Sequence, residues 1–141
     1  MKKHKLLAML LLAVASMPSH ADDQTNPNLA KIVWCESRDS HYWESDGWLN
    51  HRFHHKGDLK CGDDGVSCGI GQFSKTTFYW LVQKLHMKNK NWLNEKDQLE
   101  VMNAALNAGY GKHWSCYWKV VMHRRLVVRW IHGKKHYIIV K

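Results

Sequence analysis

Glu36 stands where a carboxyl could do acid–base work. It follows Leu29, Ile32 and Val33, whose spacing predicts an apolar helical stripe with Glu36 at its next position. A carboxylate in register with a buried face loses solvation, which favours its protonated form and raises its pKa. An acid still protonated near neutral pH can serve as a general acid. The plainer alternative is a helix-end glutamate that reaches solvent, because Glu is rarely fully buried. Downstream, Ser67-Cys68-Gly69-Ile70-Gly71-Gln72-Phe73 reads as a tight turn. Its glycines let a backbone approach a ligand closely, and the Gln72 amide can hydrogen-bond a hydroxyl or an acetamido group. Alone, such a Gly-x-Gly turn is more often structural. Further on lies Asn107-Ala108-Gly109-Tyr110-Gly111.

These residues need elements to position them. Asn26 is a good N-cap and Pro27 suits the first helical position, so the helix carrying Glu36 is expected to begin there. Arg38 to Asp58, with Tyr42, Trp43, Trp48 and Phe53, shows no period and reads as a long ordered loop with at most a short strand. Gly57 to Gly71 is rich in Gly and Asp, which is turn and hairpin chemistry. Helical spacing returns at Phe78, Leu81, Val82 and Leu85, with Ser74 or Thr76 as cap. After a break at Lys88 to Trp92, Asn94 and Asp97 predict the capped start of a helix running to about Ala108. Leu99, Met102 and Leu106 share one of its faces and Gly109 stops it. A short helix is expected through His113 to Trp118. Leu126 to Ile131 and Tyr137 to Val140, separated by His132 to His136, predict a β-hairpin. The expected fold class is mainly α with a minor β part (α+β), as a helical domain with a small loop or β-lobe and a C-terminal hairpin.

The chain has 141 residues, which suggests one domain. Residues 1–21 read as a signal peptide: Lys2, Lys3 and Lys5, the apolar run Leu6 to Ala15, then Ser19-His20-Ala21 before a cut. The run is about half the roughly 20 residues that span a membrane, so removal is expected rather than anchoring. The products of this division are 22–118, the candidate catalytic domain, and 119–141, a basic extension of the same domain. The expected location is secreted or periplasmic.

All four cysteines lie beyond the cut, and an even count in a secreted chain suggests two disulfides with three connectivities open. Cys61 and Cys68 enclose a short loop and are expected to pair, leaving Cys35 with Cys116. A zinc site of four thiolates competes poorly, since no Cys-x-x-Cys occurs. The formal charge is +9, and Lys119 to Lys141 holds seven basic residues and no acidic one. The basicity belongs to the tail, which points to an anionic partner such as cell envelope, lipid surface or nucleic acid.

The ordered set Glu36-Ser37, Gly69-Ile70-Gly71-Gln72-Phe73 and Asn107-Ala108-Gly109-Tyr110-Gly111 resembles the soluble lytic transglycosylases and goose-type lysozymes of the lysozyme-like superfamily, over about Asn28 to Trp118. The resemblance implies that Glu36 is the catalytic acid and base, and that Ser37, Ser67, Gln72, Phe73, Asn107 and Tyr110 bind substrate or line its cleft. Two departures stand out. The family's tyrosine before the asparagine of the third motif is Leu106 here, and the tail after Trp118 has no counterpart.

Glycoside hydrolysis normally uses two carboxylates. The position matching the second acid of hen-type lysozymes is Ser67, which cannot serve. The expectation is therefore a lytic transglycosylase that cleaves the MurNAc-GlcNAc β-1,4 bond of peptidoglycan and leaves a 1,6-anhydromuramoyl product. The rivals are a muramidase that recruits Asp58, Asp63 or Asp64, and a non-catalytic cationic envelope-binding protein. Expected partners are peptidoglycan strands and, through Lys119 to Lys141, an anionic envelope surface. No nucleic acid, cofactor or metal is expected, and the chain is expected to be a monomer. His51, His54 and His55 match no ligand set, and Asp58 to Asp64 lacks calcium-loop spacing. Of the eight tryptophans, Trp34, Trp80 and Trp92 are expected in the core, while Trp48 and Trp114, with Tyr110, are subsite candidates.

Overall fold

The computed structural model describes residues 24–49, 52–62 and 65–141. The signal-like segment 1–21, His51, Asp63 and Asp64 lie outside the described residues.

Asn26 organises the first turn, but the helix begins two residues later than its sequence suggests. Its side chain accepts from the Asn28 N–H at 3.0 Å, and α1 runs Leu29–Ser37. Arg38 ends α1 in the left-handed region at φ 59°, and the Lys60 ammonium donates to the Ser37 carbonyl at 2.6 Å. A cation on a last-turn carbonyl satisfies an acceptor that the helix itself leaves open.

The stretch expected as a loop contains a hairpin, β1 (Gly47–Leu49) and β2 (Arg52–His54), with Trp48 opposite Phe53. A second small sheet follows, β3 (Cys61–Gly62), β4 (Ser67–Cys68) and β5 (Phe73–Ser74), antiparallel in that order. Ser74 caps α2 (Lys75–Lys84) by accepting from Thr77 N–H, and Asn94 caps α3 (Glu95–Asn107) by accepting from Asp97 N–H. Gly109 leaves α3 at φ +84°. A 3-10 turn over Gly111–His113 leads to α4 (Ser115–Val120). The chain ends in β6 (Arg125–Ile131) and β7 (Lys134–Val140), joined by His132 and Gly133 at φ 50° and 73°. Two positive φ values in a two-residue loop give the primed turn that matches strand twist.

The expectation of a mainly α protein is corrected: the molecule is α+β, 37% helical and 24% strand among the described residues, with several small antiparallel sheets. Helical periodicity dominates the apolar pattern. The extra strands are only two or three residues long, too short for alternation to register in sequence.

The core gathers Ile32 and Val33 of α1, Phe78 and Leu81 of α2, and Val101, Met102 and Ala105 of α3 around Phe73 and Trp114. Burying each of the larger side chains contributes about 1.5–3 kcal/mol. Trp34, expected in this core, is instead 53% exposed with the Arg38 guanidinium over its ring. Trp114, expected at a subsite, is 4% exposed, and its indole N–H donates to the Gly71 carbonyl. Two disulfides fasten the frame, Cys35–Cys116 across 81 residues and Cys61–Cys68 across seven. Disulfides of this kind belong to an oxidising, extracytoplasmic environment. Among the described residues, no helix is long and apolar enough to cross a membrane.

Candidate functional site

Glu36 lies in the last turn of α1, beside Cys35, and the Cys35–Cys116 disulfide brings the start of α4 against it. The Cys116 N–H donates to Glu36 Oε1 at 3.0 Å, and Ser115 Oγ lies 3.4 Å from the same oxygen. The carboxyl is half-buried rather than sealed in the core. Its neighbour Ser37 takes the buried position, 1% exposed, with its hydroxyl bonded to the Val33 carbonyl.

Glu36 opens onto a cleft of about 370 Å³ lined by Ser67, Gln72, Lys112, His113, Trp114 and Ser115. A smaller recess of about 90 Å³ continues past Ser67, Gln72 and His113 to Phe73, Ser74 and Thr77. Of the residues expected to bind a ligand, Ser67 and Gln72 thus share the cleft with Glu36, while Phe73 lines only the smaller recess and is otherwise buried in the core. Ser37, Asn107 and Tyr110 do not line it. Asn107 sits at the far end of α3, where its amide donates to the Gln24 carbonyl at 2.9 Å and its oxygen accepts from Asn26 at 2.8 Å. There it holds the N-terminal arm to α3. Tyr110 packs its ring edge against Trp80 and lies 6.2 Å from the His113 ring, so it supports one wall from behind.

The Gly-rich turn has a different physical basis from the one its composition suggests. Gln98 of α3, fully buried, donates to the carbonyls of Cys68 and Trp92 and accepts from the Gly71 N–H. A Cβ on Gly69, at φ +79°, would fall 2.4 Å from the Gln98 amide nitrogen, and one on Gly71 would fall 2.6 Å from the Phe73 ring. The glycines therefore admit Gln98 and Phe73. Gln72 is likewise committed inward: it donates to the carbonyls of Lys60 and Gly69 and accepts from the Gly62 N–H. Its φ of 45° turns the chain so that this amide stitches β3 to the turn. Against the same turn His41, 3% exposed, accepts from the Ile70 N–H on Nδ1 and donates from Nε2 to the Leu93 carbonyl. Those two bonds fix its tautomer.

Lys112, His113 and Ser115 are cleft residues that the sequence reading passed over. They were within reach: once Cys116 pairs with Cys35, the residues preceding Cys116 must neighbour Glu36. No carboxylate other than Glu36 is among the described residues lining the cleft. Asp58 lines a separate hollow with Trp43, Leu49 and Arg52, and its carboxylate accepts from the His55 N–H at 2.8 Å.

No family model, curated protein or solved structure matches the chain. The cleft is therefore read on its own chemistry: one carboxyl held by a helix-start N–H, flanked by a lysine, a histidine and two hydroxyls.

Proposed function

We propose that the protein is a lytic transglycosylase of peptidoglycan, acting outside the cytoplasm after removal of residues 1–21. Glu36 protonates the glycosidic oxygen as the bond from the MurNAc anomeric carbon to the GlcNAc oxygen breaks. The MurNAc 6-hydroxyl then closes on that carbon and returns a proton to the Glu36 carboxylate, giving the 1,6-anhydro product without water. The observation that carries this reading is that Glu36 is the one carboxyl among the described residues lining the cleft, whereas hydrolysis by inversion or retention normally draws on two. The order of the Glu36-Ser37, Gly69 to Phe73 and Asn107 to Gly111 motifs, as in the lysozyme-like superfamily, supports the substrate assignment. Ser67 and Ser115 supply hydroxyls for sugar contacts, and Lys112 places a cation on the side of the groove that it shares with the His113 ring.

The test is digestion of purified peptidoglycan by the chain from Asp22 onward. Wild type is expected to release muropeptides one water lighter than reducing ones, about 18 Da, and Glu36→Gln none while retaining its fold. Reducing products would replace the reading with muramidase chemistry. Undiminished release by Glu36→Gln would remove Glu36 from it.

A further inference from the structure

The β6–β7 hairpin has two unlike sides. Val128 pairs with Tyr137 and Trp130 with Lys135, so Val128, Trp130, Lys135, Tyr137 and Ile139 share one side of the pleat. On the other side Val127, Ile138 and Val140 are half-buried, and Arg125 and Val127 share a groove with Cys116 and Lys119 of α4. Most of the first side is bare: Trp130 is 71% exposed and Tyr137 61%, with Ile139 exposed beside them, while Val128, also exposed, borders the groove against α4. Lys135 carries its ammonium 5.3 Å from the Tyr137 ring centroid. Seven lysines and arginines and no acid lie between Lys119 and Lys141.

Charge decides which occupant this side takes. A second copy would bring two such cationic hairpins together, which like-charge repulsion opposes. A soluble polyanion would answer the cations and leave Val128, Ile139 and the indole face in water. The surface of an anionic bilayer answers both, because Trp and Tyr settle at headgroup level and lysine stems lie along the apolar layer with their ammonium groups at the phosphates. We propose that this outer side of the hairpin seats on an anionic lipid bilayer, Trp130 and Tyr137 entering the interface and Lys135 meeting a lipid phosphate. Binding of this kind requires no glycan cleavage, so each activity can fail without the other.

The experiment is flotation of the chain from Asp22 onward with phosphatidylcholine vesicles, with and without phosphatidylglycerol. Omitting the leader keeps Leu6 to Ala15 from contributing. Flotation is expected only with the anionic vesicles and is expected to weaken as salt rises. Lys135→Glu, which leaves the apolar side intact, is expected to lower partition by about 30-fold, the effect of reversing one charge. Trp130→Ser with Tyr137→Ser is expected to lower it by about tenfold or more. Absence of flotation with anionic vesicles, equal flotation with neutral ones, or undiminished flotation of both variants would overturn the assignment. So would a concentration-dependent dimer in sedimentation that the serine variant abolishes.

Discussion

Replacing Gly69 by alanine separates a turn built around a ligand from one built around Gln98. The new methyl would lie 2.4 Å and 2.5 Å from the two polar atoms of the Gln98 amide, on a backbone held at φ +79°. The left-handed conformation costs an alanine about 1–2 kcal/mol. Gln98 is fully buried and cannot yield into solvent, so it must turn away from the Cys68 and Trp92 carbonyls and the Gly71 N–H that it bonds. Each buried group left unmatched costs about 1–3 kcal/mol. With two of the three lost, the expected destabilisation is about 3–8 kcal/mol, a large share of the roughly 5–15 kcal/mol that holds a domain folded. The assay is urea denaturation with disulfides intact, on wild type, Gly69→Ala, Gln98→Ala and the double variant. Gln98→Ala makes room for the methyl, so the double variant should be more stable than the sum of the singles predicts, by about 2 kcal/mol. A Gly69→Ala protein as stable as wild type, or strict additivity, would refute the account. Intact stability with lost glycan release would restore the turn to the ligand.

Removing the disulfides should cost unequal amounts: by loop-closure entropy Cys35–Cys116, spanning 81 residues, contributes about 4.5 kcal/mol, and Cys61–Cys68, spanning seven, about 2.4 kcal/mol. Denaturation midpoints of the paired Cys→Ser variants check the order. Lys90 has its pKa raised from 10.5, first by its hydrogen bond to Glu100, then by Asp97. A raised lysine contributes stability in full below its unfolded value and loses it as pH climbs through the higher folded one. Lys90→Met should therefore cost about 1 kcal/mol at neutral pH, with the gap to wild type closing only above pH 10.5, read from unfolding curves across alkaline pH.

Much of the frame is legible from local chemistry. Ser74 and Asn94 cap their helices because a short polar side chain before an apolar repeat has few better partners than the open N–H groups ahead of it. The disulfides followed from counting and loop length, and the tail hairpin from β-branched runs around His132 and Gly133. What stayed hidden depends on distant partners. Nothing near Trp34 in sequence says that α1 turns it outward, and nothing near Gly69 announces a glutamine 29 positions on. Asn107 shows the same limit. Its place after α3 is readable, while its bonds to Gln24 and Asn26 exist only once the N-terminal arm crosses the helix end.

The carboxyl illustrates how one turn of helix changes the chemistry. Spacing puts Glu36 on the stripe of Leu29, Ile32 and Val33, yet the buried place below Val33 goes to Ser37, because α1 meets the core along Ile32, Val33 and Ser37. Glu36 is thereby rotated to the rim, where Cys116 N–H and Ser115 replace the apolar surroundings that periodicity predicts. The disulfide beside it is what keeps those donors in reach, since Cys35 and Cys116 are chain neighbours of Glu36 and Ser115. The rim carboxyl, held by these donors, lines the cleft along which the proposed glycan chain is laid. In the mechanism proposed above, that chain supplies the desolvation an acid needs, and the fold supplies its position.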